Sequence, residues 1–406
     1  MSVTVGKYET GVQEEEEAAR VRAGSEHGGD GISKAPAAAR MQSLDVFRGM
    51  TVAGMILVNN PGSWGAIYSP LEHAEWHGWT PTDLVFPFFL FIVGVSITLA
   101  LSRRAETAGS KRDLYWKIVR RSLIIFGLGL FLAGFPSFPL ATIRIPGVLA
   151  RIAVCYLCAA VIFLNTDWRK QLYIIAGLLL GYWALMTLVP VPGFGAGLLG
   201  SKEGNLAAFV DRAIFGRHIW SQGKVYDPEG LLSTLPAVAT TLAGVLTGHL
   251  LRSRRDGFEK VSAMFVAGVA CVVAGWAWNY WFPVNKALWT SSYVLLTAGM
   301  ALQLLAACYW VIDLKGYRRW SVPFVVFGTN ALAVFFLTGL CPRLVNWIKV
   351  TGADGKPEGL LNYLNQTLFV SWMSPVNASL AYAICFVLVW LGLMWLLYRK
   401  NIFIKV

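Results

Sequence analysis

The sequence carries little charge, since Asp, Glu, Lys and Arg supply only 14% of its 406 residues, whereas an ordinary soluble domain has about 25%. Hydrophobic residues make up 56% and the mean hydropathy is +0.54. A soluble fold could not bury this much apolar side chain and still cover its surface with polar groups. Six cysteines in a chain of this length are too few for a secreted disulfide scaffold. The composition therefore leaves a polytopic helical membrane protein.

The net charge of +12 does not indicate nucleic-acid binding. Lys and Arg stand in short clusters between apolar runs, and this is the pattern that orients a membrane protein. No basic helix with interleaved aromatic residues occurs outside the apolar runs. We therefore expect the lipid bilayer as a partner, and no nucleic acid.

Residues 1–39 contain no apolar stretch of the signal-peptide type. They include the acidic run from Glu14 to Glu17, and Gly and Ala fill much of the rest. Such a segment cannot bury a core, so we predict a disordered cytoplasmic tail. Residues 40–406 then form one transmembrane domain.

Apolar runs recur from residue 44 onward, and each is long enough to cross about 30 Å of hydrocarbon as a helix. We predict an all-α fold with about ten transmembrane helices, at residues 44–60, 84–102, 117–135, 147–164, 171–189, 231–251, 261–281, 292–312, 323–341 and 377–398. With a cytoplasmic amino terminus, the inner loops hold about twice as many Lys and Arg residues as the outer loops. This asymmetry places both termini in the cytoplasm.

Polar residues stand at both ends of the first apolar run. Asp45 and Arg48 lie three residues apart at its cytoplasmic end, so they share a helix face and can pair. They are either an orienting anchor or a charged element that faces the bundle interior. Asn59 and Asn60 close the run. An asparagine there either caps the helix or offers its amide to a carbonyl or an oxyanion.

Two of the five histidines, His73 and His77, lie in the loop that follows. Their spacing of four, with carboxylates nearby, permits a metal site, although it does not fit the metalloprotease motif. A histidine that acts as a general base is chemically simpler, because the pKa of this residue type lies near working pH. We therefore favour a base and no metal, with a plain loop histidine as the remaining interpretation.

Charged residues also flank the turns into the fourth and sixth runs. Arg144 precedes the fourth run and Arg151 lies about one turn inside it; an arginine there needs a carboxylate or a phosphate as partner. Asp227 and Glu229 precede the sixth run. Asp227 has the position of a helix cap before Pro228, and the two acids could also bind an amine.

Three further polar residues lie near the predicted membrane. Asn285 and Lys286 precede the eighth run, and Asn330 lies inside the ninth. An asparagine within an apolar helix more often joins two helices than forms a site.

Several blocks of the sequence resemble the heparan-α-glucosaminide N-acetyltransferase family. They follow one another in the family's order from about residue 40 to near the end of the chain: SLDVFRG (43–49), VN (58–59), HAEWHG (73–78), DLVFP (83–87), RIPGVLAR (144–151), YDPEG (226–230), PVNK (283–286) with Trp289 and SY (292–293), and YRKNIF (398–403).

The resemblance implies transfer of an acetyl group from cytosolic acetyl-CoA, as co-substrate, to an amino sugar across the membrane. It places the catalytic histidine at His73 rather than His77, and assigns Asn59 to the thioester carbonyl. On this interpretation we expect Trp76 and the acids Asp227 and Glu229 to bind the acceptor. The residues expected to bind acetyl-CoA are Asp45, Arg48, Arg144, Arg151, Asn285, Lys286 and Asn330.

The rival hypothesis is a transporter or flippase of a sugar or lipid-linked substrate, with His73, Arg151 and Asp45 in a proton or substrate path. The absence of an internal repeat weighs against it. The lysosomal member of the family carries an extra lumenal domain and a leading span that we do not find in this sequence, so we expect a bacterial inner (plasma) membrane. The acceptor, and whether the protein forms a homodimer, are open.

Overall fold

Helices dominate the structure, a computed structural model that describes residues 2–5, 41–107, 111–352 and 355–405. Each predicted apolar run is helical over most of its length. The helices are α1 (Gln42–Asn59), α2 (Val85–Thr107), α3 (Lys111–Gly134), α4 (Val148–Asn165), α5 (Trp168–Leu188), α6 (Leu206–Phe215), α7 (Thr234–Arg252), α8 (Gly257–Trp278), α9 (Ser291–Cys308), α10 (Val322–Thr329), α11 (Ala331–Val345), α12 (Leu360–Asn365) and α13 (Pro375–Arg399). Short strands are β1 (Ser2–Val5), β2 (Lys349–Thr351), β3 (Pro357–Gly359) and β4 (Ile402–Lys405).

Seven helices of the described chain are long and apolar enough to cross a membrane, or up to eight if α10 and α11 count as one bent span. The remaining helices at predicted spans are α1 and α3. Polar residues reduce their apolar character: Asp45 and Arg48 in α1, and several Lys and Arg residues in α3. A helical membrane architecture is thus confirmed, while the count of ten spans and the cytoplasmic placement of the termini stay predictions.

Glycines let central helices approach closely. A Cβ atom on Gly94 of α2 would lie 1.9 Å from the carbonyl oxygen of Thr241 in α7. A Cβ atom on Gly49 of α1 would lie 1.7 Å from the carbonyl oxygen of Phe324 in α10. Neither position can hold a larger residue without moving a backbone, and such contacts join helices in membranes by close packing. They fix α1 and α2, the helices that flank the site described below.

The ninth apolar run is not the single straight span, residues 323–341, that we predicted. Helices α10 and α11 meet at a 70° bend, and Asn330 between them has a non-helical backbone. Its side chain donates to the carbonyl of Ile402 at 3.1 Å and accepts from the amide of Ile404 at 2.9 Å. An asparagine that bonds to backbone outside its helix competes with helix continuation, and here it ties β4 to the bend.

Strand β4 also pairs antiparallel with β1, so the two ends of the chain lie side by side. The rest of the predicted tail, up to residue 39, lies outside the described residues. The division into a disordered tail and one transmembrane domain therefore stays a prediction.

Two long connections meet at the end of the bundle where α1 ends. The segment 60–84 joins α1 to α2, and the segment 189–233, which contains α6, joins α5 to α7. The indole of Trp76 donates to the carbonyl of Leu199 at 2.9 Å and links the two. These connections surround the cavity that is described below.

Candidate active site

A cavity of about 960 Å³ opens where α1 ends, a volume in the range of small-molecule sites. Along α1 its wall runs from Asn59 back to Thr51, roughly 12 Å at 1.5 Å per residue. The cavity brings together six residues that the sequence analysis assigned to chemistry: Asn59, His73, Trp76, Arg144, Glu229 and Lys286.

His73 is oriented by a buried carboxylate. Its Nδ1 lies 2.6 Å from Oδ1 of Asp83, and the side chain of Asp83 is 1% exposed whereas that of His73 is 48% exposed. A carboxylate accepts, so Nδ1 carries the proton in this pair and Nε2 of a neutral His73 is left as the basic atom. The arrangement is that of a base held by an orienting acid.

Asp83 is itself fixed by the turn that starts α2. Its Oδ2 accepts from the amides of Thr80 at 3.0 Å and Ala74 at 3.1 Å. Thr80 and Asp83 form a capping box, which ties the His73 loop to the helix entrance. The sequence analysis did not assign Asp83. Its signal was present, because Thr80 and Asp83 have the spacing of a capping box, but that pattern alone indicates a helix start.

Asn59, the last residue of α1, is exposed and lines the cavity. Within the described chain its side chain makes no hydrogen bond. The neighbouring Asn60 donates instead to the carbonyl of Ile56 at 2.9 Å, so the capping interpretation applies to Asn60. The amide of Asn59 is thus available to a ligand.

Arg144 is paired with two carboxylates. It donates from Nε to Asp227 at 2.9 Å, from Nη2 to Asp227 at 2.5 Å, and also to Glu229. Burial opposes its charge, but the hydrogen bond with Asp227 and the charges of Glu229 and Asp227 raise the pKa of Arg144 above the ordinary arginine value. Asp227 is buried and also accepts from the amide of Trp220 at 2.8 Å, so this cluster braces the loop before α7.

Arg151 lies behind the cavity wall and is 2% exposed. It donates to the carbonyl of Gly230 at 3.0 Å and to the hydroxyl of Ser233, and its guanidinium lies 5.1 Å from the ring centre of Trp289. It does not line the cavity. Its partners are α7 and the turn before it, so its direct contacts are structural.

The remaining predicted residues also lie away from the cavity. Asp45 and Arg48 are at the opposite end of α1, and Arg48 is roughly 17 Å along the helix from Asn59. Asn285 is fully buried and accepts from the amide of Leu288 at 2.9 Å. Asn330 is buried at the bend described above. Among the residues expected to bind acetyl-CoA, Arg144 and Lys286 line the cavity and the others do not.

His73 and His77 face different partners. His77 lies 3.4 Å from the amide nitrogen of Asn285, and burial lowers the pKa of His77. In the part of the chain that the structure describes, no group of three or more His, Cys, Asp or Glu residues could hold a metal ion. The two histidines thus have different neighbours, and the absence of a metal stays a prediction.

Aromatic rings and a further arginine that the sequence analysis did not assign complete the cavity wall. The ring centres of Trp76 and Tyr226 are 5.3 Å apart, and those of Tyr226 and Trp220 are 5.9 Å apart. Trp64 and Arg343 also line the cavity. Of these, Tyr226 stood in a quoted motif. Trp220 and Arg343 are supplied by a distant loop and by α11, and Trp64, in the same connection as His73, stood in no quoted motif.

Comparison with known proteins identifies the family to which the sequence is similar. Residues 40–272 match the family model described as the catalytic region of heparan-alpha-glucosaminide N-acetyltransferase. The chain is 31% identical over 355 aligned residues to the human protein of that name, covering 73% of this chain and 52% of the relative. The mouse protein is 30% identical over 353 residues, covering 73% and 53%. The chain thus spans about half the length of the curated relatives it matches.

Proposed function

The chain belongs to the heparan-alpha-glucosaminide N-acetyltransferase family, and from this premise we propose that it is a transmembrane acetyltransferase. It transfers an acetyl group from cytosolic acetyl-CoA to an amino sugar of the glucosamine type on the outer face of the membrane. The observation that supports this proposal most is the open wall shared by His73, held by Asp83, and the unpaired amide of Asn59.

The chemistry begins with a proton. An amino-sugar ammonium must lose one before it can attack, and Nε2 of His73 is the ring atom left to accept it when Nδ1 donates to Asp83. The amine nitrogen then bonds to the thioester carbonyl carbon, and the carbonyl oxygen takes up charge that the Asn59 amide stabilises by donating a hydrogen bond. Collapse breaks the carbon–sulfur bond and the CoA thiolate leaves. The proton held by His73 neutralises the thiolate, and the nitrogen loses its second proton to solvent as the neutral amide forms. The products are the N-acetyl sugar and free CoA.

A two-step route is the alternative. Nε2 of His73 would attack the thioester, hold the acetyl group, release CoA and then pass the acetyl group to the amine. We favour direct transfer, because acetyl-CoA that reaches into the bundle needs no covalent relay to bring its acetyl group to the cavity.

We propose that the acyl donor enters at the cytoplasmic end of the bundle, where Arg48 lies. Arg48 is far from the cavity along α1. Acetyl-CoA is a long molecule, so it could contact Arg48 at one end of the bundle while its acetyl group lies in the cavity. Arg144 and Arg151 are better placed to hold the loop before α7, since their partners are Asp227, Glu229 and the backbone of Gly230. Trp76 and Glu229 line the cavity and are proposed to contact the acceptor. Asp227 does not line the cavity, and it would support Glu229 through Arg144, with which both acids pair.

The chain is an integral membrane protein by its helices and its relatives, and we place it in a bacterial inner membrane with both termini inside. The test uses the purified protein in liposomes, with labelled acetyl-CoA and glucosamine as acceptor. Labelled N-acetylglucosamine formed in step with free CoA supports the proposal. Glucosamine uptake without release of CoA supports a transporter and contradicts it.

A stopped reaction without acceptor separates the two routes. Direct transfer gives no rapid stoichiometric release of CoA and leaves no acetyl label on the protein. A burst of CoA matched by label on His73 establishes the two-step route.

A further inference from the structure

Lys286 lies directly beside His73 at the cavity wall. Its Nζ is 2.9 Å from Nδ1 and 3.1 Å from Nε2 of His73, and 3.4 Å from Oδ1 of Asp83. Because both ring nitrogens are almost equally distant, the ammonium faces the imidazole as a whole and is not aligned with one lone pair. The three groups form one cluster at the cavity wall.

A stiff turn presents Lys286 to this cluster. The amide oxygen of Asn285 accepts from the amide of Leu288 at 2.9 Å, and the amide of Asn285 donates to the hydroxyl of Thr290 at 3.0 Å. Asn285 also forms a backbone bridge to Gly78, in the loop that carries His73. The turn before α9 is therefore tied directly to the histidine loop, and the side chain of Lys286 is only 20% exposed.

Two opposite charges act on His73. The Asp83 carboxylate favours a positive imidazole, whereas an ammonium at about 3 Å disfavours it. Burial lowers the pKa of Lys286, while the charges of Asp83 and Glu229 raise it. Glu229 is itself paired with Arg144. The charged groups around His73 thus come from the helix start at Asp83, the turn at Lys286 and the loop before α7.

We propose that Lys286 is a positioning residue for His73, which opposes protonation of the imidazole that Asp83 would otherwise promote, and that it is not a contact to acetyl-CoA. An imidazole held by a carboxylate alone is drawn toward the charged form, which cannot accept a proton. The adjacent ammonium disfavours a second proton on the ring while Asp83 fixes its orientation. The effect of Lys286 on catalysis rests on the acetyltransferase function proposed above.

The first test does not depend on activity. Diethyl pyrocarbonate reacts with histidine only in the neutral form, so the pH dependence of modification at His73, located by mass spectrometry of peptides from the modified full-length protein, reports the protonation of His73. In Lys286→Met the midpoint should move to higher pH by roughly one unit or more, whereas Lys286→Arg should stay near wild type. Lys349→Met, an exposed lysine on β2, is the matched control. An unchanged midpoint in folded Lys286→Met overturns the proposal.

The second test separates the two roles of Lys286 by kinetics. As a positioning residue, Lys286→Met should shift the acid limb of the kcat/KM profile to higher pH and lower kcat near neutral pH about tenfold, with KM for acetyl-CoA changed less than twofold. A cofactor contact would raise KM tenfold or more with an unmoved profile, and that result contradicts the proposal. If the wild-type protein transfers no acetyl group, the proposed function fails while the modification experiment still decides the role of Lys286.

Discussion

Helix α1 has a polar cluster at each end, and the clusters differ in what their side chains bind. At one end Arg48 donates to Asp45 at 3.1 Å, to the carbonyl of Gly328 at 3.2 Å and to the hydroxyl of Ser96 at 3.0 Å. These partners lie on α1, α10 and α2, so the guanidinium joins three helices. A charge at membrane depth with such partners contributes first to assembly of the bundle.

At the other end of α1 the polar side chains are positioned by the fold but remain exposed to the cavity. Asp83 orients His73 and Lys286 approaches it, yet nearly half of the His73 side chain is exposed, and Asn59 has its amide free toward the cavity. Buried polar groups normally find partners within the protein. Polar groups that are positioned by the fold and left open beside a cavity are the ones available for chemistry.

The strongest test of this contrast is the removal of the base. His73→Ala should lower acetyl transfer by about 10²–10⁴-fold, because no other histidine is among the cavity-lining residues of the described chain. His77→Ala should retain most of the activity, since His77 faces Asn285 rather than the cavity. Transfer of labelled acetyl to glucosamine measures both. Comparable losses in the two variants would mean that the catalytic base has been misassigned.

Removal of the donor at the end of α1 should have the next largest effect. Asn59→Asp replaces an amide donor with a carboxylate and should reduce turnover by about 100-fold, with little change in acetyl-CoA affinity. Asn60→Ala, which loses the bond to Ile56, should lower the thermal unfolding midpoint and leave turnover near wild type. If Asn59→Asp instead yields no folded protein, Asn59 caps the helix.

A smaller effect is expected at the opposite end of α1. If Arg48 contacts a phosphate of acetyl-CoA, Arg48→Ala should weaken binding about tenfold, as loss of one charge-assisted hydrogen bond predicts. Isothermal titration with CoA measures this. Arg255→Ala, which breaks an exposed pair with Glu259, is the control. Unchanged CoA affinity with a lower unfolding midpoint would show that Arg48 only joins helices.

The last prediction concerns stability rather than catalysis, at a buried carboxylate outside both clusters. Burial raises the pKa of Asp211 to about 6, and the nearby charge of Asp227 adds to this, although a hydrogen bond from the amide of Leu231 opposes it. Between about pH 4 and pH 6 the folded state therefore binds more protons than the unfolded state, so stability falls as pH rises. The decrease is at most about 3 kcal/mol.

Asp211→Asn should remove this dependence. The thermal unfolding midpoint of the variant should change less than that of the wild type between pH 4 and pH 6, and above pH 6 the variant should be the more stable protein. The exposed Asp113 of α3, replaced by Asn, is the matched control and should leave the pH dependence near that of the wild type. Parallel profiles for Asp211→Asn and the wild type would contradict a raised pKa at Asp211.

Sequence patterns predicted the positions of the long helices but not the bend between α10 and α11. A helix lies at each apolar run that hydropathy predicted, because about 20 apolar residues in succession have few stable alternatives to a membrane helix. The short helices α6 and α12 were not predicted. Hydropathy predicted a single straight span across Asn330, where the structure has a 70° bend. The bend depends on hydrogen bonds to residues 402 and 404, more than 70 positions away, and no local pattern contains that information.

The candidate site shows the same division. The motif around His73 indicated a base and a nearby amide, since the residue types alone carry that chemistry. The sequence did not assign the orienting role of Asp83. A capping box with Thr80 explains an aspartate at this position without any contact to Nδ1 of His73. Nor did the sequence separate Arg144, which lines the cavity but is neutralised by Asp227 and Glu229, from Arg48 at the far end of α1.

Composition and motif order by themselves determined that this is a helical membrane protein with a candidate histidine base, since burial of apolar side chains and proton affinity are properties of residue types. Tertiary structure decided which polar atoms are left open. Lys286 lies more than 200 positions from His73, yet its ammonium is about 3 Å from the imidazole. Charges interact through space, so only the packed loops and helices could show that Asp83, Lys286 and His73 act on one another.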